Sequence, residues 1–273
     1  MRNPFMIKII DIDNIKIACW LNPDEFGGRQ QNLVFVHGSG GEHTSWVYQY
    51  SRLHQQFNIV AVDLPGHGLS TGDGESDVER YCLWIKKLLA FLQLTKPVLV
   101  GHSLGAAIVM KYALLYPRDV AGIVPVGGGI KLPVNPDWLA GLQTNPARTV
   151  ELACKYSLAE ENRPRFLEPL KKSLAKARTD VFFGDLTAGN IFDLTADVGK
   201  IDAPTLVVCG TEDKMTPASF SRRIAESISG AKLCLIEGAG HMVMMEKPVE
   251  FNGALSAFAN NVVDLSTVQP PLF

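Results

Sequence analysis

The fold is decided by residues 97–110, which read PVLVGHSLGAAIVM. An apolar run ends in Gly101-His102-Ser103-Leu104-Gly105, which fits the pattern G-x-S-x-G, and an apolar helical pattern follows it. A strand, a tight turn and a helix in this order are typical of a nucleophile elbow. Small glycines allow the sharp turn, and the helix N-terminus offers N–H groups to a developing negative charge. The stretch therefore predicts that Ser103 is a nucleophile, and the alternative is a serine that only caps the helix.

Strand-like and helix-like stretches alternate over most of the chain on both sides of this elbow. Nearly continuous apolar runs are typical of parallel strands that are covered on both faces, and the alternation predicts an α/β fold. We expect a mostly parallel, eight-stranded sheet flanked by helices, with a first hairpin that turns at Asp13-Asn14. The ligand site should lie at the carboxyl ends of the strands. The predicted strands are Phe5–Ile12, Ile15–Leu21, Leu33–His37, Ile59–Asp63, Pro97–Gly101, Val120–Val126, Thr205–Cys209 and Lys232–Ile236, and the predicted helices are Asp77–Leu92, Ser103–Tyr116, Ala218–Ser227 and Val249–Val263.

Residues 127–200 interrupt the alternation of strands and helices. They begin with three glycines and contain five prolines among helix-like pieces. Because a structureless loop of about 70 residues is improbable inside a compact domain, we expect a helical insertion that caps a core made of residues 1–126 and 201–273. Its aromatic residues are expected to pack on the core and its basic run, residues 171–178, to be a solvated helix face. The alternative is an acyl pocket with cations near its mouth.

The composition excludes several classes of protein. A 273-residue chain that is 47% hydrophobic and 20% charged is not disordered, and 26 basic against 28 acidic residues give no footprint for nucleic acid. Five cysteines without a C-x-x-C spacing favour neither a disulfide framework nor a zinc site. Lys8 interrupts any signal-peptide core, and no apolar run reaches the ~18 residues of a membrane span. We therefore expect a cytoplasmic protein with no metal, nucleic-acid or membrane partner, and its oligomeric state is left open.

A nucleophilic serine needs a base, and the base needs an acid that orients it. Of the six histidines, His241 alone stands on a small-residue loop, Gly238-Ala239-Gly240-His241, after the last predicted strand. The loop after the preceding strand supplies Glu212 and Asp213. We favour Asp213, with Glu212 as the alternative, and the order Ser, Asp, His is the one that the hydrolase fold with this elbow uses. An ordinary loop carboxylate and a backbone-bonded histidine are the alternatives without function.

Two more motifs make a resemblance specific. HGSGG at residues 37–41 follows a strand, and DLPGHGLS at residues 63–70 follows the next one. With the elbow and the loops of Asp213 and His241, they make residues 33–258 similar to serine hydrolases of the α/β-hydrolase fold with a helical cap, carboxylesterase-like in type. The resemblance implies Ser103 as nucleophile, His241 as base and Asp213 as acid. It also implies an oxyanion hole made by the backbone N–H groups of Ser39 and Leu104, and no cofactor.

The resemblance leaves several activities open. Haloalkane dehalogenases and epoxide hydrolases of this fold place an aspartate where Ser103 stands, and the H-G-G-G run of hormone-sensitive-lipase-like esterases is absent. A cytoplasmic address disfavours a secreted triglyceride lipase. We expect cleavage of a small-molecule carboxylic ester through an acyl-enzyme intermediate. The alternatives are a thioesterase, a C–C bond hydrolase or a cofactor-free perhydrolase on the same triad, and a ligand receptor of the same fold.

Overall fold

The computed structural model describes residues 6–22 and 31–262, and within them eight strands form one sheet. Phe5 and Val263, the outer ends of two predicted elements, lie outside the described residues. The predicted strands are otherwise found within two residues of their expected bounds. The strands are β1 Met6–Ile12, β2 Ile15–Leu21, β3 Asn32–Val36, β4 Asn58–Val62, β5 Val98–His102, β6 Gly122–Val126, β7 Leu206–Gly210 and β8 Lys232–Ile236.

The order of the strands in the sheet is β1-β2-β4-β3-β5-β6-β7-β8. The pairs β1–β2 and β2–β4 are antiparallel, and all the other pairs are parallel. Asp13 and Asn14 have φ values of 54° and 66°, which suit the two-residue turns that twisted hairpins prefer. The mostly parallel, eight-stranded sheet and its first hairpin are confirmed.

Helices cover both faces of the sheet. Two short helices, Val47–Leu53 and Val243–Glu246, were not predicted, because seven and four residues are too few to show a helical period. Within the described residues the helices are α1 Val47–Leu53, α2 Val78–Phe91, α3 Leu104–Leu115, α4 Pro136–Thr144, α5 Pro146–Ser157, α6 Arg163–Leu174, α7 Thr179–Ile191, α8 Ala218–Ser227, α9 Val243–Glu246 and α10 Pro248–Asn261, with 3-10 helices at His43–Trp46, Glu160–Asn162 and Val198–Lys200. In this part of the chain no helix combines the length and the apolar character that crossing a membrane requires.

The core lies in two layers, one on each face of the sheet. Alternate residues of β3 belong to different layers: Val34 and Val36 pack with α2 and α3, whereas Leu33 and Phe35 pack with α1 and α10. This alternation is the period of two that any strand imposes on its side chains. The inner strands β4, β5, β6 and β7 are buried on both faces. The carboxyl ends of β3, β5, β7 and β8 meet at one edge of the sheet.

Residues 127–200 form a segment between β6 and β7 that contains the helices α4 to α7. Lys131 and Asp193 form an antiparallel bridge, and their side chains pair at 2.8 Å. Leu194 N donates to Ile130 O at 2.8 Å beside them. The two ends of this segment therefore lie next to each other. Its basic run forms surface ion pairs: Lys171 with Glu168, Lys176 with Glu42, and Arg178 with Asp73 and Asp180.

Candidate functional site

Ser103 lies at a strained turn between β5 and α3. Its φ of 54° and ψ of −112° fall in a region that L-residues rarely adopt. The flanking glycines are required, because a Cβ at Gly101 would collide with the carbonyl of Gly105, and one at Gly105 with the carbonyl of Val36. A hydrogen bond of 2.9 Å from Ser103 N to Val126 O fixes the turn to β6. Packing thus holds the hydroxyl above the edge of the sheet.

The loop of residues 37–41 follows β3 and lies beside this serine. His37 Nδ1 is 2.8 Å from Gly38 O, and Leu64 N donates to His37 Nε2 at 3.1 Å. Burial and the nearby His67 lower the pKa of His37 to about 4, so the ring is neutral. Ser39 and Leu104 both line a cavity next to Ser103. Because Leu104 is the first residue of α3, its N–H has no acceptor within the helix.

Asp213 lies in the turn after β7 and is 6% exposed. Its carboxylate accepts hydrogen bonds from Met215 N and Thr216 N, both at 2.8 Å, and from Thr216 Oγ1 at 2.9 Å. Burial alone would raise the pKa of Asp213, but His241 and the Thr216 donors hold it below its ordinary value. The group is a buried carboxylate at neutral pH, whereas the neighbouring Glu212 is exposed.

His241 stands in the loop between β8 and α9, and its ring faces Asp213. Nδ1 lies 2.8 Å from Asp213 Oδ2, and since a carboxylate accepts, Nδ1 carries the hydrogen. The carbonyl of His241 accepts a hydrogen bond of 3.0 Å from His102 Nε2, and the two rings lie 4.6 Å apart. Burial and the proximity of His241 lower the pKa of His102 to about 3. His102 therefore holds the loop as a neutral ring.

Two cavities meet at Ser103, with volumes of about 430 Å³ and about 110 Å³. His241 and Met242 line the smaller cavity, where they face Leu170 and Leu174 of α6. Phe220 and Lys214 line the larger one. The residues that line both cavities are Ser39, Ser103, Trp138, Leu186 and Met215.

The structure also shows a buried polar cluster that the sequence did not indicate. Asp185 of α7 is fully buried, and its carboxylate accepts from Gly40 N at 2.8 Å and Tyr81 Oη at 2.6 Å. His67 Nε2 lies 2.8 Å from the same carboxylate. The one available signal was an acidic residue inside an apolar helical stretch, Phe182-Phe183-Gly184-Asp185-Leu186.

Glu246 of α9 is a second buried carboxylate, and it joins the segment of residues 127–200 to the loop that follows β8. It accepts from Ala159 N at 2.9 Å and from Asn162 Nδ2 at 2.8 Å. It also accepts from Gly240 N, next to His241, at 3.0 Å. Burial raises the pKa of Glu246, since its nearest partners are neutral donors rather than a cation.

Thiols and possible metal ligands do not gather at this site. All five cysteines are free, and burial raises the pKa of Cys209 to about 12. Within residues 6–22 and 31–262, no three His, Cys, Asp or Glu side chains are arranged to hold a metal ion.

Comparisons with known proteins agree with this architecture. A family model described as the alpha/beta hydrolase family matches residues 33–254. A solved structure described as a thermophilic esterase is 34% identical, with a TM-score of 0.81 over 94% of this chain and 98% of that one. A monoacylglycerol lipase of Xenopus laevis is 24% identical in an alignment 266 residues long, which covers 86% of this chain and 79% of that protein.

A relative of a different description is a dihydrolipoyllysine-residue acetyltransferase component of an acetoin cleaving system in Pseudomonas putida. It is 29% identical in an alignment 249 residues long, which covers 86% of this chain and 65% of the relative's length. The family match covers most of the residues that build the sheet and the loops at its edge. The protein belongs to the alpha/beta hydrolase family.

Proposed function

We propose that the protein is a serine hydrolase that cleaves small-molecule carboxylic esters through an acyl-enzyme intermediate. Ser103 is the nucleophile, His241 the base and Asp213 the acid that orients it. The observation that carries this proposal is the 2.8 Å hydrogen bond between Asp213 Oδ2 and His241 Nδ1, at a cavity that Ser103 also lines. A buried carboxylate that fixes the tautomer of such a base leaves Nε2 to take a proton.

The chemistry proceeds in two steps. Ser103 Oγ attacks the ester carbonyl carbon while its proton moves to His241 Nε2. When the tetrahedral intermediate collapses, the bond to the alkoxy oxygen breaks and His241 gives that proton to the leaving alcohol. Water then attacks the acyl carbonyl, again with His241 as base, and releases the acid and Ser103. These steps need no metal or organic cofactor.

The backbone N–H groups of Ser39 and Leu104 are proposed as the oxyanion hole. Both residues line the larger cavity beside Ser103; Ser39 lies in the loop after β3 and Leu104 in the first turn of α3. Preorganised amides stabilise the charge that develops on the carbonyl oxygen, and each donor is typically worth ~10²–10³ in rate.

The two cavities suggest how the ester lies. Because His241 must reach the leaving oxygen, the alcohol belongs in the cavity that His241 lines, which has about 110 Å³. The acyl group then extends into the cavity of about 430 Å³. This assignment favours esters with a longer acyl chain and a small alcohol.

Residues 127–200 are proposed as a cap on a core made of residues 1–126 and 201–273. Trp138 of α4 and Leu186 of α7 line both cavities, so the segment supplies walls for the ester. The likeness to an esterase at 34% identity also supports ester hydrolysis. Free, buried cysteines support a reducing, cytoplasmic compartment.

The test uses an isomeric pair of esters, methyl octanoate and heptyl acetate, with the wild type and Ser103→Ala in a pH-stat. The wild type should hydrolyse methyl octanoate with a kcat/KM at least about tenfold higher. Ser103→Ala should lower kcat on it by at least about 10³-fold, because triad serines typically contribute more than that. An octanoyl thioester, a peracid assay and a C–C cleavage substrate serve as further arms.

Each arm can fail separately. More than about a tenth of the wild-type kcat in Ser103→Ala would remove Ser103 as nucleophile. Equal rates on the two isomers would refute the assignment of the cavities but leave the triad in place. Faster turnover of the thioester, peracid or C–C substrate would replace ester cleavage, and binding of esters without turnover would point to the receptor.

A further inference from the structure

Asp185 connects the cap to three separate parts of the core. It lies on α7, is fully buried, and is bonded to the Gly40 amide, the His67 ring and the Tyr81 hydroxyl. These partners belong to the loop after β3, the turn after β4 and helix α2. A buried carboxylate destabilises the fold unless its oxygens accept hydrogen bonds or pair with a cation.

The pair between Asp185 and His67 is ionic. Burial lowers the pKa of His67, but the Asp185 carboxylate and the Pro65 carbonyl raise it above its ordinary value. Nδ1 lies 3.0 Å from Pro65 O and Nε2 lies 2.8 Å from Asp185 Oδ2, so both nitrogens face acceptors. Only the doubly protonated ring satisfies both contacts. The other groups that face His67 are Asp63, the neutral His37 at 4.7 Å between ring centroids, and Tyr81 at 6.4 Å.

The contact with Gly40 bears on the proposed oxyanion hole. Gly38 O accepts from His37 Nδ1 at 2.8 Å and from Gly41 N at 3.0 Å, which fixes the peptide plane that carries Ser39 N–H. The next peptide plane carries Gly40 N–H, and Asp185 fixes that plane at 2.8 Å. Ser39 is thus held between two anchored planes, and the second anchor comes from the cap.

We propose that Asp185 is a positioning residue, which sets the direction of the Ser39 amide through Gly40 and makes the oxyanion hole depend on the seating of α7. The next residue on that helix, Leu186, lines both cavities, so α7 contacts the substrate space and the oxyanion loop with consecutive residues. This inference rests on the proposed function, because it assigns a task to an amide of the proposed oxyanion hole.

The experiment compares Asp185→Ala, Asp185→Asn and Tyr81→Phe with the wild type on methyl octanoate. Tyr81→Phe is the matched control, since it removes the hydrogen bond from Tyr81 Oη to Asp185 Oδ1 and leaves the Gly40 contact. Asp185→Asn is the conservative rescue, because its carbonyl oxygen still accepts from Gly40 N. The readouts are kcat, KM, the inhibition constant of a trifluoromethyl ketone that forms an oxyanion on Ser103, and Tm.

Asp185→Ala should lower kcat by about 10- to 100-fold with KM within about threefold, since a misplaced group of this kind costs up to ~10²-fold. The inhibition constant should rise by a similar factor. Asp185→Asn should recover most of the lost kcat, and Tyr81→Phe should lower Tm but keep kcat within about twofold. If Asp185→Ala does not fold, the double variant Asp185→Leu/His67→Gln, which leaves no unpaired charge, must show the same loss.

An unchanged inhibition constant in folded Asp185→Ala, or in the folded double variant Asp185→Leu/His67→Gln, would overturn the inference. So would a kcat loss in Tyr81→Phe as large as that in Asp185→Ala, because the effect would then be one of stability. Failure of the proposed function looks different: in that case Ser103→Ala keeps its activity, whatever the Asp185 variants do.

Discussion

Among the buried aspartate–histidine pairs of the described residues, Asp213–His241 and Asp185–His67 have the same 2.8 Å separation and different surroundings. His241 and His67 are 4% and 3% exposed, and each faces a buried carboxylate. His67 uses both ring nitrogens, one for Asp185 and one for Pro65 O. Within the described chain, His241 gives Nδ1 to Asp213 and its ring lines the smaller cavity.

The difference teaches that a carboxylate partner does not make a histidine reactive. A general base needs a nitrogen with a free lone pair at the place where the proton leaves. Both ring nitrogens of His67 are used in hydrogen bonds, so this residue has no free lone pair. Its pair with Asp185 therefore has a structural role. A third pair, His43 with Asp63 at 2.9 Å, lines neither of the two cavities at Ser103.

Replacing each histidine by glutamine is the strongest test of this contrast. His241→Gln should lower kcat by at least about 10⁴-fold, because glutamine cannot take the proton of Ser103. His67→Gln should keep kcat of the folded protein within about tenfold, but it leaves Asp185 without its cation and should reduce the free energy of unfolding by about 3 kcal/mol. The measurements are ester hydrolysis and urea unfolding of both variants.

The contrast would be broken by the opposite pattern. A large loss of kcat in well-folded His67→Gln, with an intact Tm, would give His67 a part in the chemistry. A moderate loss in His241→Gln would mean that another group takes the proton.

The next largest effect concerns Asp213, the carboxylate of the pair that is proposed to be reactive. Asp213→Asn should lower kcat by ~10⁴-fold with little change in fold, because the amide stabilises the wrong tautomer and no longer balances the imidazolium. Glu212→Gln is the matched control on the same loop, and being exposed it should change kcat by less than about twofold. Circular dichroism verifies that both variants fold. A severe loss in Glu212→Gln with near-normal Asp213→Asn would exchange the two assignments.

The smallest expected effect is a pH dependence of stability from the structural pair. Since the pKa of His67 is raised in the folded state, its contribution is fully present below the unfolded value of ~6.5 and is lost as pH rises through the folded value. Tm should therefore fall between pH 6 and 9 more steeply in the wild type than in Asp185→Asn, by a few degrees at about 2–4 °C per kcal/mol.

The difference between the two curves of Tm against pH isolates the contribution of the Asp185–His67 pair. His43, whose pKa Asp63 raises against the effect of burial, contributes a slope of the same sign to both proteins and cancels. Parallel curves for the wild type and Asp185→Asn would show that His67 is not held as a cation by Asp185.

Local patterns in the sequence were enough for the sheet, the elbow and the loop histidine. Val98 to Val100 and the glycines around Ser103 reveal a strand and a turn because these signals lie within a few residues. Sequence spacing cannot choose between Asp213 and Glu212, which lie 28 and 29 residues before His241, and the structure pairs the favoured Asp213 with His241. The catalytic roles themselves stay predictions for the experiments above.

The cluster of Asp185 could not be predicted, for a physical reason. Its partners Gly40, His67 and Tyr81 are 145, 118 and 104 residues away, and each local context is satisfied without them. Glu246 is similar, since it accepts from two backbone amides, which every residue type except proline offers, and from the distant Asn162 side chain. Long-range polar contacts of this kind depend on how residues 127–200 finally pack, which no periodicity encodes.

The backbone of Ser103 has a consequence for how the protein can change over time. A non-glycine residue held at φ 54° and ψ −112° stores strain of order 1–3 kcal/mol, and a glycine would adopt the same dihedral angles freely. A protein selected for ligand binding alone would gain stability from a glycine at this position. A designed scaffold that keeps this cavity would gain stability in the same way. Under the role proposed for Ser103, the stability of the fold and the rate of turnover therefore compete at this one residue.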